Sequence, residues 1–207
     1  MLTLFFSPGA CSLASHIALI EAGVPFELKR LKFAENEQRS PEYLKVNPKG
    51  RVPALVTEKG TLTETPALLI YIAQLVPEKN LAPLDDAFAL AELQAFNSYI
   101  ASTVHVAHAH GRRGSRWADE QSSFDDMHRK VPQTMSDCFR LIEDDFLKGP
   151  WVMGDQFTVA DIYLFVMEDW LKGDRVDIAD FPRVRDHYER MKARPAVQQA
   201  LASEAAA

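Results

Sequence analysis

The hydrophobic pattern changes character once along the chain. In the first 80 residues, short apolar runs alternate with helical spacings; afterwards only helical spacings remain. "LTLFF" (2–6) reads as a strand bounded by "SPG". "SLASHIALIEAG" (12–23) has apolar positions at Leu13, Ile17 and Ile20 and stops at Gly23 before Pro25, which predicts a helix. "FELKRLKF" (26–33) alternates Lys and Arg with apolar residues, a second strand. "SPEYLKVNPKG" (40–50) predicts a short helix with Ser40 as N-cap and Pro41 at its first position. "PALVTEKGTLTET" (53–65) predicts two short strands around a turn at Gly60, and "PALLIYIAQLV" (66–76) a helix opened by Thr65 and Pro66. The right-handed crossover rule makes the first strand–helix–strand unit parallel, and the later hairpin adds antiparallel strands. The expected product is a four-stranded mixed sheet with helices on both faces, an α/β domain over 1–78.

The polar, Pro-containing "PEKNLAPLDD" marks a linker, placed at 79–86. Beyond it, helical patterns cover 87–111, 124–149, 158–173 and 181–195, so residues 87–207 are expected to form an all-helical domain. Pro132 is expected to kink or break the second of these helices, and the Ala-rich end "ASEAAA" to fray. "DQFTVADIY" carries a capping box: Thr158 caps, and Asp161 reaches back to the Thr158 amide. Phe157 and Ile162 are spaced to close a hydrophobic staple. Asp161 is therefore read as a cap and not as a catalytic acid. "VADIYLFVM" is apolar almost all round, which predicts the core helix of the second domain.

Composition narrows the function classes. Apolar residues make up 47% of the 207, enough for a buried core. The net charge of −6 gives no general attraction for phosphate backbones, so nucleic acid is not an expected partner. No Lys or Arg precedes the short apolar opening, which argues against a secretory signal. No window reaches the roughly 18 apolar residues of a membrane span. Two cysteines are too few for a disulfide framework, and a reducing cytoplasm is the expected location.

Chemistry concentrates at Cys11, which follows a Pro-Gly turn at the mouth of the first helix. Unsatisfied amides and the helix dipole favour a thiolate there. The alternative is a small buried hydrophobe, a description that suits Cys138 inside an amphipathic helix better. "CSLA" lacks the second cysteine of a C-x-x-C redox pair. Cys11 either pairs with a small-molecule thiol or belongs to a site that ionises another thiol, with Ser12 and the amides of residues 11–13 as donors. Pro53 follows Val52 in a strand-like run, so this pair belongs at an edge or turn, with a cis bond as one option. Val52 is then placed to pair its backbone with an extended peptide. Thr65 opens a helix whose N-terminus can hold a carboxylate, and Glu64 beside it can receive an ammonium group. Ordinary capping is the competing account of both.

Four runs, "SPGACS", "NPKGRVPAL", "TETPALLIYI" and "FTVADIYLF", resemble the cytosolic glutathione transferases, and most of all their bacterial beta class. The resemblance spans essentially the whole chain. It implies a thioredoxin-like N-terminal domain, an all-helical C-terminal domain, a homodimer, glutathione as co-substrate and a role in detoxification. By this resemblance Cys11 is the beta-class cysteine and Ser12 its neighbour at the sulfur. Val52 and Pro53 are the strand-pairing residue and the cis-proline, and Glu64 and Thr65 hold the γ-glutamyl end. His105 is the helix histidine that faces the thiol from the second domain. Thr65 replaces the usual Ser or Gly, and Ser98 stands where Asn is common. The lysine expected after the second strand has only Lys32 nearby.

In "HVAHAHGRRGSRW" (105–117), His105 and His108 share a helical face, but no nearby carboxylate or cysteine completes a metal set, so no metal is expected. Arg112, Arg113 and Arg116 form either an anion-attracting patch or surface pairs with Asp119 and Glu120. The main expectation is a glutathione S-transferase acting on small apolar electrophiles. The rivals are a glutathione-dependent thiol-disulfide reductase with Cys11 as nucleophile, and a non-catalytic ligand carrier.

Overall fold

Alternation along the first strand sets the layers of the N-terminal unit. In β1 (Leu2–Phe6), Leu4 and Phe6 are fully buried on one face, and Phe5 packs against Tyr43 on the other. β1 lies between β2 (Phe26–Arg30), to which it is parallel, and β3 (Ala54–Thr57), to which it is antiparallel. β4 (Gly60–Thr63) pairs antiparallel with β3, which gives the order β2-β1-β3-β4. Helices α1 (Ser12–Ala22) and α3 (Thr65–Leu75) pack on each other and on the Leu4/Phe6 side. The short α2 (Pro41–Val46) covers the opposite face, where Tyr43 joins Leu31, Val52 and Ala54. Ser40 caps α2 by accepting from the Tyr43 amide at 3.1 Å. Gly23, at φ 69°, closes α1. The mixed sheet, with helices on both faces, is the thioredoxin-like arrangement expected.

The computed structural model describes residues 1–206, and its contacts divide into two units. The first is Met1–Leu90 with the tail from Lys192; the second is Ala91–Met191. This departs from a second domain running over 87–207. The tail does not fray: α9 (Pro195–Ala206) is helical and packs on α1. Alanine is the strongest helix former, and its small side chain lets the two helices approach. Ala196, Val197 and Ala200 are buried there, and Arg194 pairs with Glu21 of α1 at 2.7 Å.

α4 (Ala87–Tyr99), most of which lies in the second unit, passes through a π-helical turn, Ile100–Val104, into α5 (His105–Arg112). α6 (Gln121–Leu141) runs on through Pro132 without a break, which leaves a kink as the surviving half of the expectation there. A proline leaves the carbonyl four residues earlier without its helical donor. That carbonyl belongs to His128, and the Arg175 guanidinium donates to it. α7 (Val159–Trp170) is buried from Val159 to Glu168 and forms the core, as its apolar pattern predicts. The capping box is present: Asp161 Oδ2 accepts from the Thr158 amide at 2.7 Å, and Thr158 Oγ1 accepts from Ala160 at 3.3 Å. α8 (Pro182–Lys192) follows. Among the described residues, no helix is long and apolar enough to cross a membrane.

Candidate functional site

Sheet register gathers the predicted residues of the first unit. Phe5 pairs with Ala54, and Ala54 with Thr63. The residues just beyond these pairs are Phe6 at the end of β1 with Ser7 after it, Val52 and Pro53 before β3, and Glu64 after β4. They therefore share one end of the sheet.

The chain leaves β1 through a tight turn. The Ala10 amide donates to the Ser7 carbonyl at 3.1 Å, with Pro8 second and Gly9 third at φ 69°, the residue pattern of a type II turn. Cys11 then caps α1. It is half-buried, and its Sγ donates to the Val52 carbonyl at 3.4 Å. Ser12 is the first residue of α1. Its hydroxyl is fully buried, accepting from the Ser7 amide and donating to the Ser7 carbonyl, each at 3.3 Å. It braces the turn through Ser7. The Leu13 amide, also expected among the sulfur's donors, is taken by the Ala10 carbonyl at 3.0 Å.

The Val52–Pro53 peptide is cis. Asn47 Nδ2 and the Tyr43 hydroxyl both donate to the Arg51 carbonyl, at 2.7 and 2.6 Å, and fix the loop leading to it. Burial pushes the Tyr43 hydroxyl up to about 12, so it remains a donor across the neutral range. Val52 precedes the ladder, which begins at Ala54, and so stands at the open end of β3.

Glu64 is a non-glycine residue at φ 72°, ψ 119°, a sparsely populated conformation of the kind found at ligand clamps. It occupies the N-cap position of α3; Thr65, expected as the cap, is the buried first residue of the helix. The Glu64 carboxylate pairs with Lys49, whose Nζ also donates to Thr63 Oγ1 at 2.7 Å. Lys49 was missed in the sequence. Lys32, the lysine near the place where one was expected after the second strand, pairs with Glu35 at 3.1 Å on the surface. The one signal was the position of Lys49 in "NPKGRVP", just ahead of the cis-proline.

His105 lies in the second unit, at the start of α5 and directly after the π turn. Its ring meets Trp170 edge-on at 5.1 Å. His108 stacks on Trp170 at 4.1 Å, and its Nδ1 pairs with Asp174 at 2.7 Å, a carboxylate the local sequence did not show. Among the described residues no group of three or more His, Cys, Asp or Glu could hold a metal ion. His110 stacks on Trp117 at 4.2 Å. Cys138 is buried, and burial pushes its thiol up, in keeping with a structural role.

The chain's first 74 residues match the family model for the N-terminal domain of glutathione S-transferase, and residues 125–190 match its C-terminal domain. Glutathione S-transferase GstA of Escherichia coli O157:H7 is 32% identical over 204 residues, covering 97% of this chain and 98% of that protein. A glutathione transferase homologue from Sulfitobacter, solved with bound glutathione, is 49% identical with a TM-score of 0.95, each chain covered to 98%. The beta-class glutathione S-transferase of Sphingomonas chungbukensis is 34% identical with a TM-score of 0.86, again with 98% of each chain covered. Identity of this degree over the whole length, together with the two domain matches, makes the assignment: the chain belongs to the glutathione S-transferase family.

Proposed function

We propose that this chain is a glutathione transferase that joins the glutathione thiolate to small apolar electrophiles. The observation that carries the reading is the gathering of Cys11, Val52–Pro53 and Glu64 at one end of the sheet. Glutathione is an extended peptide with an amino-acid head and a thiol, and this sheet end offers a partner to each part. The Glu64 carboxylate suits the ammonium group. The N-terminus of α3 at Thr65 suits the γ-glutamyl carboxylate. The Val52 backbone suits the cysteinyl peptide, and the turn at Cys11 and the Ser12 amide suits the sulfur. Favouring the thiolate raises the reactive fraction, and holding it beside its electrophile adds the proximity advantage. The sulfur lone pair forms the new bond to carbon, and the leaving group departs with its electron pair. His105 remains a proposed assisting group, and a cytoplasmic homodimer active in detoxification completes the reading.

A second reading rests on the place of Cys11 beside the Val52 backbone, where the cysteinyl part of glutathione would pair: Cys11 is then the nucleophile of a thiol-disulfide reductase. Its thiolate would attack a mixed disulfide of glutathione, releasing the other thiol and leaving Cys11 joined to glutathione. A second glutathione thiolate would then free Cys11 and leave as oxidised glutathione. Wild type and Cys11→Ala are to be compared with glutathione plus a chloronitroaromatic, and separately plus a small mixed disulfide. The transferase reading expects conjugation to survive the substitution. Loss of both activities in a folded variant that still binds glutathione makes Cys11 the nucleophile. A wild type that binds glutathione and turns over neither substrate is a carrier.

A further inference from the structure

A type II turn engages the amide of its fourth residue and leaves the amide of its third pointing outward. In the Ser7–Ala10 turn that third residue is Gly9. Its amide donates to Glu204 Oε2 at 3.0 Å, across 195 positions of sequence. The other oxygen, Oε1, lies 3.2 Å from Nδ1 of His16 on α1. Glu204 is 6% exposed and His16 1% exposed. The His16 ring lies 6.0 Å from Phe6 and 5.8 Å from Phe26, so α1 and the sheet fix one end of the pair. The proposed chemistry uses neither group. Simple packing of α9 on α1 would be served better by an apolar side chain, because a carboxylate is costly to bury unless its oxygens are bonded. Here one oxygen reaches helix α1 and the other reaches the turn that presents Cys11.

We propose that Glu204 is a positioning residue: from the C-terminal helix it holds the outward amide of the Ser7–Ala10 turn, and so sets where Cys11 and the first turn of α1 meet the sulfur of glutathione. Ser12 braces the same turn from the inside through Ser7. Glu204 and Ser12 together leave the turn little freedom. The proposal rests on the reading of this turn as the sulfur site.

The test compares wild type with Glu204→Ala, Glu204→Gln and Glu204→Asp. One readout is the rate of Cys11 alkylation by iodoacetamide, followed by mass on the Cys11 peptide so that Cys138 does not interfere. The other is steady-state kinetics with glutathione and a chloronitroaromatic, well below each variant's unfolding temperature. Glu204→Ala is expected to change the alkylation rate at least about threefold and raise KM for glutathione about tenfold, the weight of one hydrogen bond to a charged acceptor. KM for the electrophile should move less than about twofold, since the turn bears only on the sulfur side. Glu204→Gln, whose side-chain carbonyl can still accept from Gly9, should recover most of both effects. A Glu204→Ala protein with wild-type alkylation and KM, lowered only in Tm, overturns the proposal and leaves Glu204 a tail anchor. Should Glu204→Ala not fold, Glu204→Asp is too short to span Gly9 and His16 and carries the same expectation; wild-type values there overturn the proposal equally. Absence of glutathione turnover in wild type defeats the transferase reading alone, because the alkylation comparison still reports the hold of Glu204 on Cys11.

Discussion

His187 offers the sharpest quantitative prediction. It is fully buried in the second unit, with Nδ1 2.8 Å from Glu168 Oε1 and Nε2 3.2 Å from Asp161 Oδ1. Burial pulls an imidazole down, but the two carboxylates outweigh it and hold His187 up at about 9, against an ordinary 6.5. Burial also pushes the Glu168 carboxyl up, partly offset by His187. A histidine raised on folding stabilises fully below its unfolded value of 6.5. That contribution disappears as pH rises through about 9. The rise corresponds to about 3 kcal/mol. His187→Gln removes the cation between two buried carboxylates, of which Asp161 keeps its backbone donors and Glu168 loses its charged partner, a loss of about 3–5 kcal/mol. Urea unfolding of wild type and variant should be followed by tryptophan fluorescence, since Trp117, Trp151 and Trp170 all lie in the second unit. The stability gap should be about 3 kcal/mol or more at pH 6 and narrow by about that amount by pH 10. A gap that stays constant from pH 6 to 10 would refute the reasoning and assign His187 a packing role only.

Two further outcomes follow from local geometry. Glu64→Gly should raise thermal stability, because glycine accepts φ 72° without the ~1 kcal/mol or more of strain borne by glutamate, while KM for glutathione rises several-fold; calorimetry and kinetics on one preparation check both signs. Pro132→Ala restores a helical donor to the His128 carbonyl and should stabilise by about 1–3 kcal/mol. Arg175→Ala should cost about 1 kcal/mol in the natural background and measurably less beside Pro132→Ala, a coupling that a double-mutant cycle reads.

The legible parts of this molecule were those whose signal is local. The alternation in 2–6, the glycine stop at 23, the Ser40 and Thr158 caps and the hairpin near Gly60 each depend on neighbours within four residues, and the structure keeps them. The expectations that failed depended on distant donors. Pro132 looked like a break because nothing near it supplies the missing hydrogen bond; Arg175, 43 positions on, does so. His108 looked unpartnered because its carboxylate is 66 positions away at Asp174. The alanine tail read as fraying because its apolar face is weak in isolation and gains meaning only on α1. Lys49 escaped notice for the same reason: its partners Thr63 and Glu64 come alongside only after β3 and β4 pair.

The same distinction bears on Cys11. The sequence alone argues that a helix mouth favours a thiolate without saying whose. The thiol of Cys11 donates to the Val52 carbonyl, and that carbonyl can accept from a thiol but repels a thiolate. The Cys11 side chain makes no capping hydrogen bond to the amides of α1, and its thiol turns to the Val52 carbonyl instead. A sulfur brought in by a peptide pairing with Val52 meets the helix mouth with the Cys11 side chain beside it. That arrangement suits a site that ionises its ligand's thiol more than one that ionises its own, and it is why conjugation is expected to survive Cys11→Ala.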